Sequence, residues 1–239
     1  MAIQGSKIDY FDGDVALQAH MAWDDSLKGS RPGVLVAHAW QGRSEFEVGR
    51  AERLASLGYI GFALDMYGAG KLGTSPAENA ALMQPLLDDR SMIQRRISLA
   101  LDTLRAQQVV DPANTAAIGF CFGGLCVLDL ARTGSDVNGV VSFHGLFGAP
   151  GNTQGTQISA KILALHGWDD PLATPEQVAG LASELTAAGA DWQLHGYGGT
   201  FHAFTNPAAN DPGNGKCYSA DADRRSWQSM TNFLQELFD

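Results

Sequence analysis

The chain has 239 residues, of which 45% are hydrophobic, so it can build a substantial apolar core within the length of one large α/β domain. With 16 Lys and Arg against 26 Asp and Glu, the formal net charge of −10 argues against nucleic acid or an anionic membrane as the main partner. No stretch approaches the roughly 18 apolar residues of a membrane span, and three cysteines without framework spacing favour a cytoplasmic location with reduced thiols.

Strands and helices are predicted to alternate along the chain. The predicted elements begin with a β-hairpin over 6–23, a strand at 34–37, a helix over 48–55, a strand at 59–64, a helix over 93–104, a strand at 115–119 and a helix over 125–132. Strands at 137–143 and 162–165 follow, then a helix that begins at the capping box over 174–177, with Pro175 in its first position, and ends at Gly189. A strand at 191–194 and a C-terminal helix over 227–237 complete the order. Residues 68–90 are less regular, and we interpret them as an excursion, part of a substrate lid, with a short helix at 77–83. This alternation predicts a single α/β domain over 1–239 with a doubly wound, mostly parallel sheet flanked by helices.

Cys121 is the most informative residue, because Gly119-Phe120-Cys121-Phe122-Gly123 has the form G-x-C-x-G between a strand and a helix. That setting is typical of a nucleophile elbow, a tight turn that presents a reactive side chain above a sheet. The flanking glycines relieve crowding in the strained turn. A helix N-terminus and a neighbouring histidine lower the pKa of such a thiol, so Cys121 is the candidate nucleophile.

A nucleophile needs a base, and the base needs an orienting carboxylate. In α/β-hydrolases these follow the nucleophile in the order acid, then histidine, on loops after successive strands. The strand at 162–165 leads to Asp169 and Asp170, and the spacing favours Asp170, with Asp169 serving the turn. His202 follows the strand at 191–194 in a glycine-rich loop, so Cys121, Asp170 and His202 form the predicted triad.

Other histidines also follow predicted strands and are interpreted as pocket-lining residues: His38, His144 and His166. An oxyanion needs two backbone N–H donors. We expect one from Phe122, directly after the nucleophile. The second is expected from the loop after 34–37, where Trp40 is favoured and Ala39 is the alternative.

These motifs resemble the dienelactone hydrolase family, which contains carboxymethylenebutenolidase-like α/β-hydrolases. The resemblance runs from about Arg31 to Phe238, and its most specific part is the cysteine elbow. It implies an α/β-hydrolase fold and a Cys-Asp-His triad that opens a lactone or ester. Cys121 would form a thioester, and His202 would activate water for deacylation while Asp170 holds the imidazole.

Two positions depart from the family pattern. Ala39 stands where the family has a glutamate that governs ionisation of the thiol, and Glu45 and Glu47 are the nearest carboxylates. Asn206 stands where the family has an arginine for the substrate carboxylate, a charge that Arg90 could supply instead. The candidate substrate-binding residues are therefore Ala39, Tyr67, Arg90, His144 and Asn206.

The sequence thus predicts a hydrolase that cleaves a small ester or lactone without cofactor or metal, acting as a monomer or small homo-oligomer. A thioesterase or general carboxylesterase on the same triad is one alternative. A non-catalytic module with Cys121 as a redox-sensing thiol is another.

Overall fold

The protein is described from a computed structural model over residues 2–239, so Met1, the first residue of the predicted domain, lies outside the described residues. The chain folds into two compact units. Unit 1 ends at Ile118, and unit 2 begins at Gly119. The single domain over 1–239 therefore stays a prediction.

Unit 1 contains the predicted hairpin and the first parallel strands. Its elements are β1 (Ile3–Asp12), β2 (Val15–Asp24), β3 (Arg31–Ala37), α1 (Glu45–Ser56), β4 (Ile60–Ala63), α2 (Pro76–Asp88), α3 (Arg90–Arg105) and most of β5 (Val110–Phe120). The strand order is β1-β2-β4-β3-β5. β1 pairs antiparallel with β2, as predicted, and β2 with β4, whereas β3 and β4 are parallel.

The segment 68–90 is more regular than its composition suggested. The short helix predicted at 77–83 extends over α2, Pro76–Asp88, with Ser75 as its N-cap and Pro76 in its first turn. Pro85 lies within this helix, three residues before its end, where its missing N–H removes a single hydrogen bond, the one to the Ala81 carbonyl. The composition of this segment therefore misled the prediction of the helix bounds.

Unit 2 holds the end of β5, followed by parallel strands in the order β6-β7-β8. Its other elements are α4 (Phe122–Arg132), β6 (Gly139–Phe143), β7 (Lys161–Gly167), α5 (Pro175–Ala187), β8 (Trp192–Tyr197), β9 (Asn210–Asp211), β10 (Lys216–Cys217) and α6 (Ala220–Phe238). The antiparallel pair β9–β10 was not predicted, because strands of two residues carry no periodicity.

The alternation of helices with mostly parallel strands confirms the predicted α/β class. The inner parallel strands are largely buried, as their continuous apolar sequences predict; Val34 to Ala37 and Ile162 to Leu165 are almost entirely inaccessible. The parallel strand β8, in contrast, is half-buried to exposed along its length. Loops at the carboxyl ends of β7 and β8 carry Asp170 and His202. Across residues 2–239, the structure has no helix with the length and apolarity that crossing a membrane requires.

Candidate active site

Cys121 occupies a strained turn between β5 and α4. Its φ of 56° and ψ of −113° lie outside the regions favoured for L-residues, a conformation that costs about 1–3 kcal/mol. Backbone contacts hold the turn: the Cys121 N–H donates to the Phe143 carbonyl at 3.0 Å, and the N–H groups of Gly124 and Leu125 donate to the Cys121 carbonyl at 2.9 and 3.3 Å. The half-buried thiol therefore sits on a turn whose geometry the neighbouring backbone fixes.

Glycines allow the backbone to pass this close to the turn. A Cβ at Gly119 would collide with the carbonyl of Gly123, so only glycine fits at that position. At Gly124 a Cβ would lie 2.7 Å from the Cα of Gly145, in the loop after β6. The crowding at Gly119 agrees with the reason given from sequence, whereas the approach of Gly124 to Gly145 was not foreseen.

His202 and Asp170 form a buried pair. The His202 Nδ1 lies 2.7 Å from the Asp170 Oδ2, and each residue is only 2% exposed. The other carboxylate oxygen of Asp170 accepts the Leu172 N–H at 2.8 Å, which fixes its rotation. Asp169 is exposed, and its backbone N–H donates to the Thr200 carbonyl. The structure therefore joins His202 to Asp170 and not to Asp169.

The backbone of His202 is held by the β9–β10 segment. Its N–H donates to the Gly215 carbonyl at 2.9 Å, and its carbonyl accepts the Cys217 N–H at 3.1 Å. This unpredicted strand pair thus positions the imidazole from the backbone side. Nothing in the local sequence of 210–217 indicates that role.

The protonation of His202 depends on its neighbours. Burial lowers its pKa, but the charge of the Cys121 thiolate and the hydrogen bond to Asp170 outweigh burial and raise the pKa of His202 to about 10. The His202 Nε2 atom has no hydrogen-bond partner of normal geometry among residues 2–239. The Cys121 sulfur therefore influences the His202 ring over a longer or less aligned contact. Such contacts are common before substrate binds. The raised pKa favours the protonated form of the His202 ring.

His144 lies beneath the elbow. Its Nδ1 accepts the Cys121 N–H at 3.2 Å, so the ring proton is on Nε2, which donates to the Thr205 hydroxyl at 2.8 Å. Its edge packs against the rings of His202 and Phe204 at centroid distances of 5.1 and 5.0 Å. Because both nitrogens bind protein groups, this geometry favours positioning of the elbow over the predicted substrate contact.

His166, on β7 near the acid loop, is fully buried, and burial lowers its pKa. Neither of its ring nitrogens has a hydrogen-bond partner within the described part of the chain. Its ring lies against Phe147 and Trp168. His166 is therefore a neutral core histidine.

The loop after β3 is fixed within unit 1 by a buried carboxylate. Glu47 is 2% exposed and accepts the Ala39 N–H at 3.2 Å and the Ser44 N–H at 2.9 Å. The Ala39 N–H thus already has an acceptor in this structure, and the alternative that Ala39 donates to an oxyanion stays a prediction. Sequence reasoning identified Glu47 as a nearby carboxylate but not as the partner of Ala39.

Trp40 and Tyr67 are joined in the same unit. The buried Tyr67 hydroxyl donates to the Trp40 carbonyl at 3.0 Å, and its ring meets the edge of His38 at a centroid distance of 4.6 Å. His38 accepts the Met66 N–H on Nε2 and donates from Nδ1 to the Ala39 carbonyl. Trp40 thus lies in a braced loop, and its role as oxyanion donor stays a prediction.

The remaining predicted residues have simpler surroundings. Phe122 is the first residue of α4, where backbone N–H groups have no acceptor within the helix. Arg90 is half-buried at the start of α3. The Asn206 side-chain oxygen accepts the Ala208 N–H at 2.9 Å and closes a turn, so that oxygen is already occupied. Among the described residues, no group of three or more His, Cys, Asp or Glu side chains could hold a metal ion.

The chain is similar to a known protein family and to several known proteins. The sequence model of the dienelactone hydrolase family matches residues 17–238. A solved dienelactone hydrolase-like promiscuous phosphotriesterase from metagenomic libraries is 39% identical, covers 100% of both chains and superposes with a TM-score of 0.94. An uncharacterized protein of Caenorhabditis elegans is 34% identical over 63% of this chain and 98% of its own length. A Bradyrhizobium protein named as a probable 2-oxo-3-(5-oxofuran-2-ylidene)propanoate lactonase is 25% identical over 85% of this chain and 86% of its own.

Proposed function

Because the chain belongs to the dienelactone hydrolase family and is a carboxylic ester hydrolase with the α/β-hydrolase fold, we propose that it cleaves small esters or lactones through Cys121, His202 and Asp170. The observation that carries this proposal is the buried 2.7 Å contact between His202 and Asp170. The negative charge of an ionised Cys121 also raises the pKa of His202. A nucleophile, a base and an orienting carboxylate are the three parts that acyl transfer needs.

In the first half of the reaction, the Cys121 thiolate attacks the substrate carbonyl carbon. The resulting oxyanion is stabilised by the Phe122 N–H at the positive end of α4, and we assign the second donor to Trp40. As the carbonyl re-forms, the bond to the leaving oxygen breaks, and that oxygen takes the proton of the His202 imidazolium. A thioester on Cys121 and a neutral His202 remain.

In the second half, His202 takes a proton from water while the water oxygen attacks the thioester carbon. The carbon–sulfur bond breaks, the carboxylic acid product leaves, and the thiolate and imidazolium are restored. Asp170 keeps the Nδ1 proton facing its carboxylate, so Nε2 is the nitrogen that moves protons in both halves. The raised pKa of His202, about 10, supports the charged pair as the resting state.

The test is intact-mass analysis of the enzyme during turnover of a panel containing a lactone, an aryl ester and an acyl thioester. We expect an acyl adduct on the wild type that is absent from Cys121→Ala, and hydrolysis that both Cys121→Ala and His202→Ala nearly abolish. Cys126→Ala is the matched control, since that free cysteine is buried within α4. Adduct formation that survives Cys121→Ala would remove the proposed nucleophile.

The same panel separates the alternatives. Faster turnover of thioesters would indicate a thioesterase, and broad ester turnover would indicate a general carboxylesterase. The phosphotriesterase relative adds a phosphotriester to the panel, as a second candidate substrate class on the same nucleophile. A redox-sensing module would bind ligand but show no acyl adduct with any substrate.

We also propose a cytoplasmic location and a monomeric or small homo-oligomeric state. The three free cysteines support a reducing compartment. Light scattering coupled to gel filtration measures the oligomeric state directly.

A further inference from the structure

A small cavity in unit 1 lies outside the machinery proposed above. It has a volume of about 190 Å³ and is formed where the loop after β3 meets the loop after β4. Its lining residues, here called the Arg43–Lys71 pocket, are Arg43, Asp65, Gly68, Gly70, Lys71 and Leu72. The volume equals that of about six water molecules at ~30 Å³ each, which suits a small ion or the end group of a larger ligand.

The two loops are fastened to each other, so the pocket has a fixed frame. The Gly73 N–H donates to the Gln41 carbonyl at 2.9 Å. A Cβ at Gly42 would lie 2.8 Å from the Lys71 carbonyl oxygen, which shows how closely the backbones approach. Arg43 and Lys71 therefore sit on segments whose separation is set by main-chain contacts.

The two cationic groups of the pocket make no ion pair with a carboxylate among residues 2–239. Arg43 donates from Nε to the Gln18 carbonyl at 2.9 Å, but its terminal nitrogens make no hydrogen bond or ion pair within residues 2–239. The Lys71 ammonium likewise has no partner in that described range. Both cations are therefore available to an anion that enters the cavity.

Asp65 also lines the pocket, but its carboxylate is already engaged. One oxygen accepts the N–H groups of Tyr67 at 2.8 Å and Gly68 at 3.0 Å, and the other accepts the Gln18 N–H at 3.1 Å. Three backbone donors stabilise this charge without using Arg43 or Lys71. Two cations and one carboxylate leave a formal charge of +1 around the cavity.

The backbone contributes further donors. Gly68 and Gly70 have φ values of 133° and 77°, which favour glycine and turn the chain around the cavity. Across residues 2–239, the N–H groups of Gly70 and Leu72 have no acceptor. These two N–H groups flank Lys71, whose own N–H donates to the Gly68 carbonyl, and they remain available as donors to a bound anion.

We propose that the Arg43–Lys71 pocket binds a small anion, a phosphate or carboxylate group, held by the Arg43 guanidinium, the Lys71 ammonium and the Gly70 and Leu72 N–H groups. A planar guanidinium beside an ammonium provides both bidentate and point-charge contacts to such an anion. This site does not depend on the reaction at Cys121.

The test is NMR titration of the full chain with inorganic phosphate and, separately, with acetate, following the amide signals of Gly70 and Leu72. We expect saturable shifts of both signals with at least one anion. Lys71→Gln should weaken binding by up to about fivefold, the loss expected when one solvent-exposed ion pair is removed. Lys71 is exposed, so this variant keeps the fold, and Arg43→Gln should weaken binding similarly.

Lys28→Gln is the matched control, because Lys28 is also an exposed lysine and its removal changes the net charge equally. The Lys28→Gln variant should bind both anions as the wild type does.

Tighter binding of phosphate than of acetate would indicate a phosphate-bearing ligand, and tighter binding of acetate would indicate a carboxylate. The proposal is overturned if neither anion gives a saturable shift, if Lys28→Gln loses as much affinity as Lys71→Gln, or if the pocket variants bind normally. Cys121→Ala should retain binding, which separates this result from any failure of the proposed hydrolysis.

Discussion

Asp170→Asn tests how the carboxylate serves the imidazole. In the native site, the Asp170 Oδ1 accepts the Leu172 N–H while Oδ2 faces the His202 Nδ1 at 2.7 Å. An asparagine that keeps its oxygen on Leu172 must turn its NH₂ toward Nδ1. The His202 Nδ1 then accepts a hydrogen bond from this NH₂ group, and the ring proton moves to Nε2. A protonated Nε2 cannot take a proton from the attacking water.

The size of the expected loss in kcat/KM follows from the hydrogen bond between the Asp170 carboxylate and the His202 ring, which the substitution removes. A hydrogen bond to a charged group contributes about 1.5–3 kcal/mol, and each 1.4 kcal/mol is a factor of ten. We therefore expect kcat/KM to fall about 10- to 140-fold, less than in Cys121→Ala. The raised pKa of His202 should also fall, because the Asp170 hydrogen bond is one of its causes.

The assay is kcat/KM on an aryl ester, together with NMR titration of the His202 ring. Asp169→Asn serves as the control and should retain native activity, because Asp169 is exposed and away from the imidazole nitrogen. Full activity in Asp170→Asn combined with loss in Asp169→Asn would refute the reasoning.

Three further results are expected. Gly119→Ala should lower the free energy of unfolding by about 1–3 kcal/mol in urea, since its Cβ meets the Gly123 carbonyl; unchanged stability would contradict the crowding. Glu47→Gln should cost about 1–3 kcal/mol by the same measurement, since an amide replaces the carboxylate that accepts the Ala39 N–H; the exposed Glu45→Gln is the control. Folding raises the pKa of His202 from 6.5 to about 10, so protonation of His202 should stabilise the folded protein. This stabilisation should be complete below about pH 6.5 and lost as the pH rises toward 10. A free energy of unfolding that does not change between pH 6.5 and 10 would contradict the prediction.

The sequence was sufficient for the features that follow from chain order. A strand, a glycine-flanked cysteine and a helix identify the elbow locally, and Asp170 and His202 follow later strands at the same carboxyl edge. The hairpin and the parallel strands were likewise predicted, because periodicity and turn residues are local signals.

Other features depend on contacts that no local pattern carries. His144 adopts a φ of 38° and binds the elbow from a different strand, and Glu47 reaches back eight residues to the Ala39 N–H. Helix α2 similarly continues through Pro85, because a helix can accommodate a proline near its end. Composition alone does not show that a proline lies in such a position. These contacts are long-range or depend on geometry, so a single sequence could not fix them.

The support that β9 and β10 give to His202 has a consequence for comparing and redesigning relatives. A short surface hairpin, which would ordinarily tolerate insertions, determines through two main-chain bonds where the His202 ring lies. A homologue that retains all three reactive side chains but differs in length between Asn210 and Cys217 should therefore turn over substrate at a different rate. Loop grafting in this protein should leave that stretch intact.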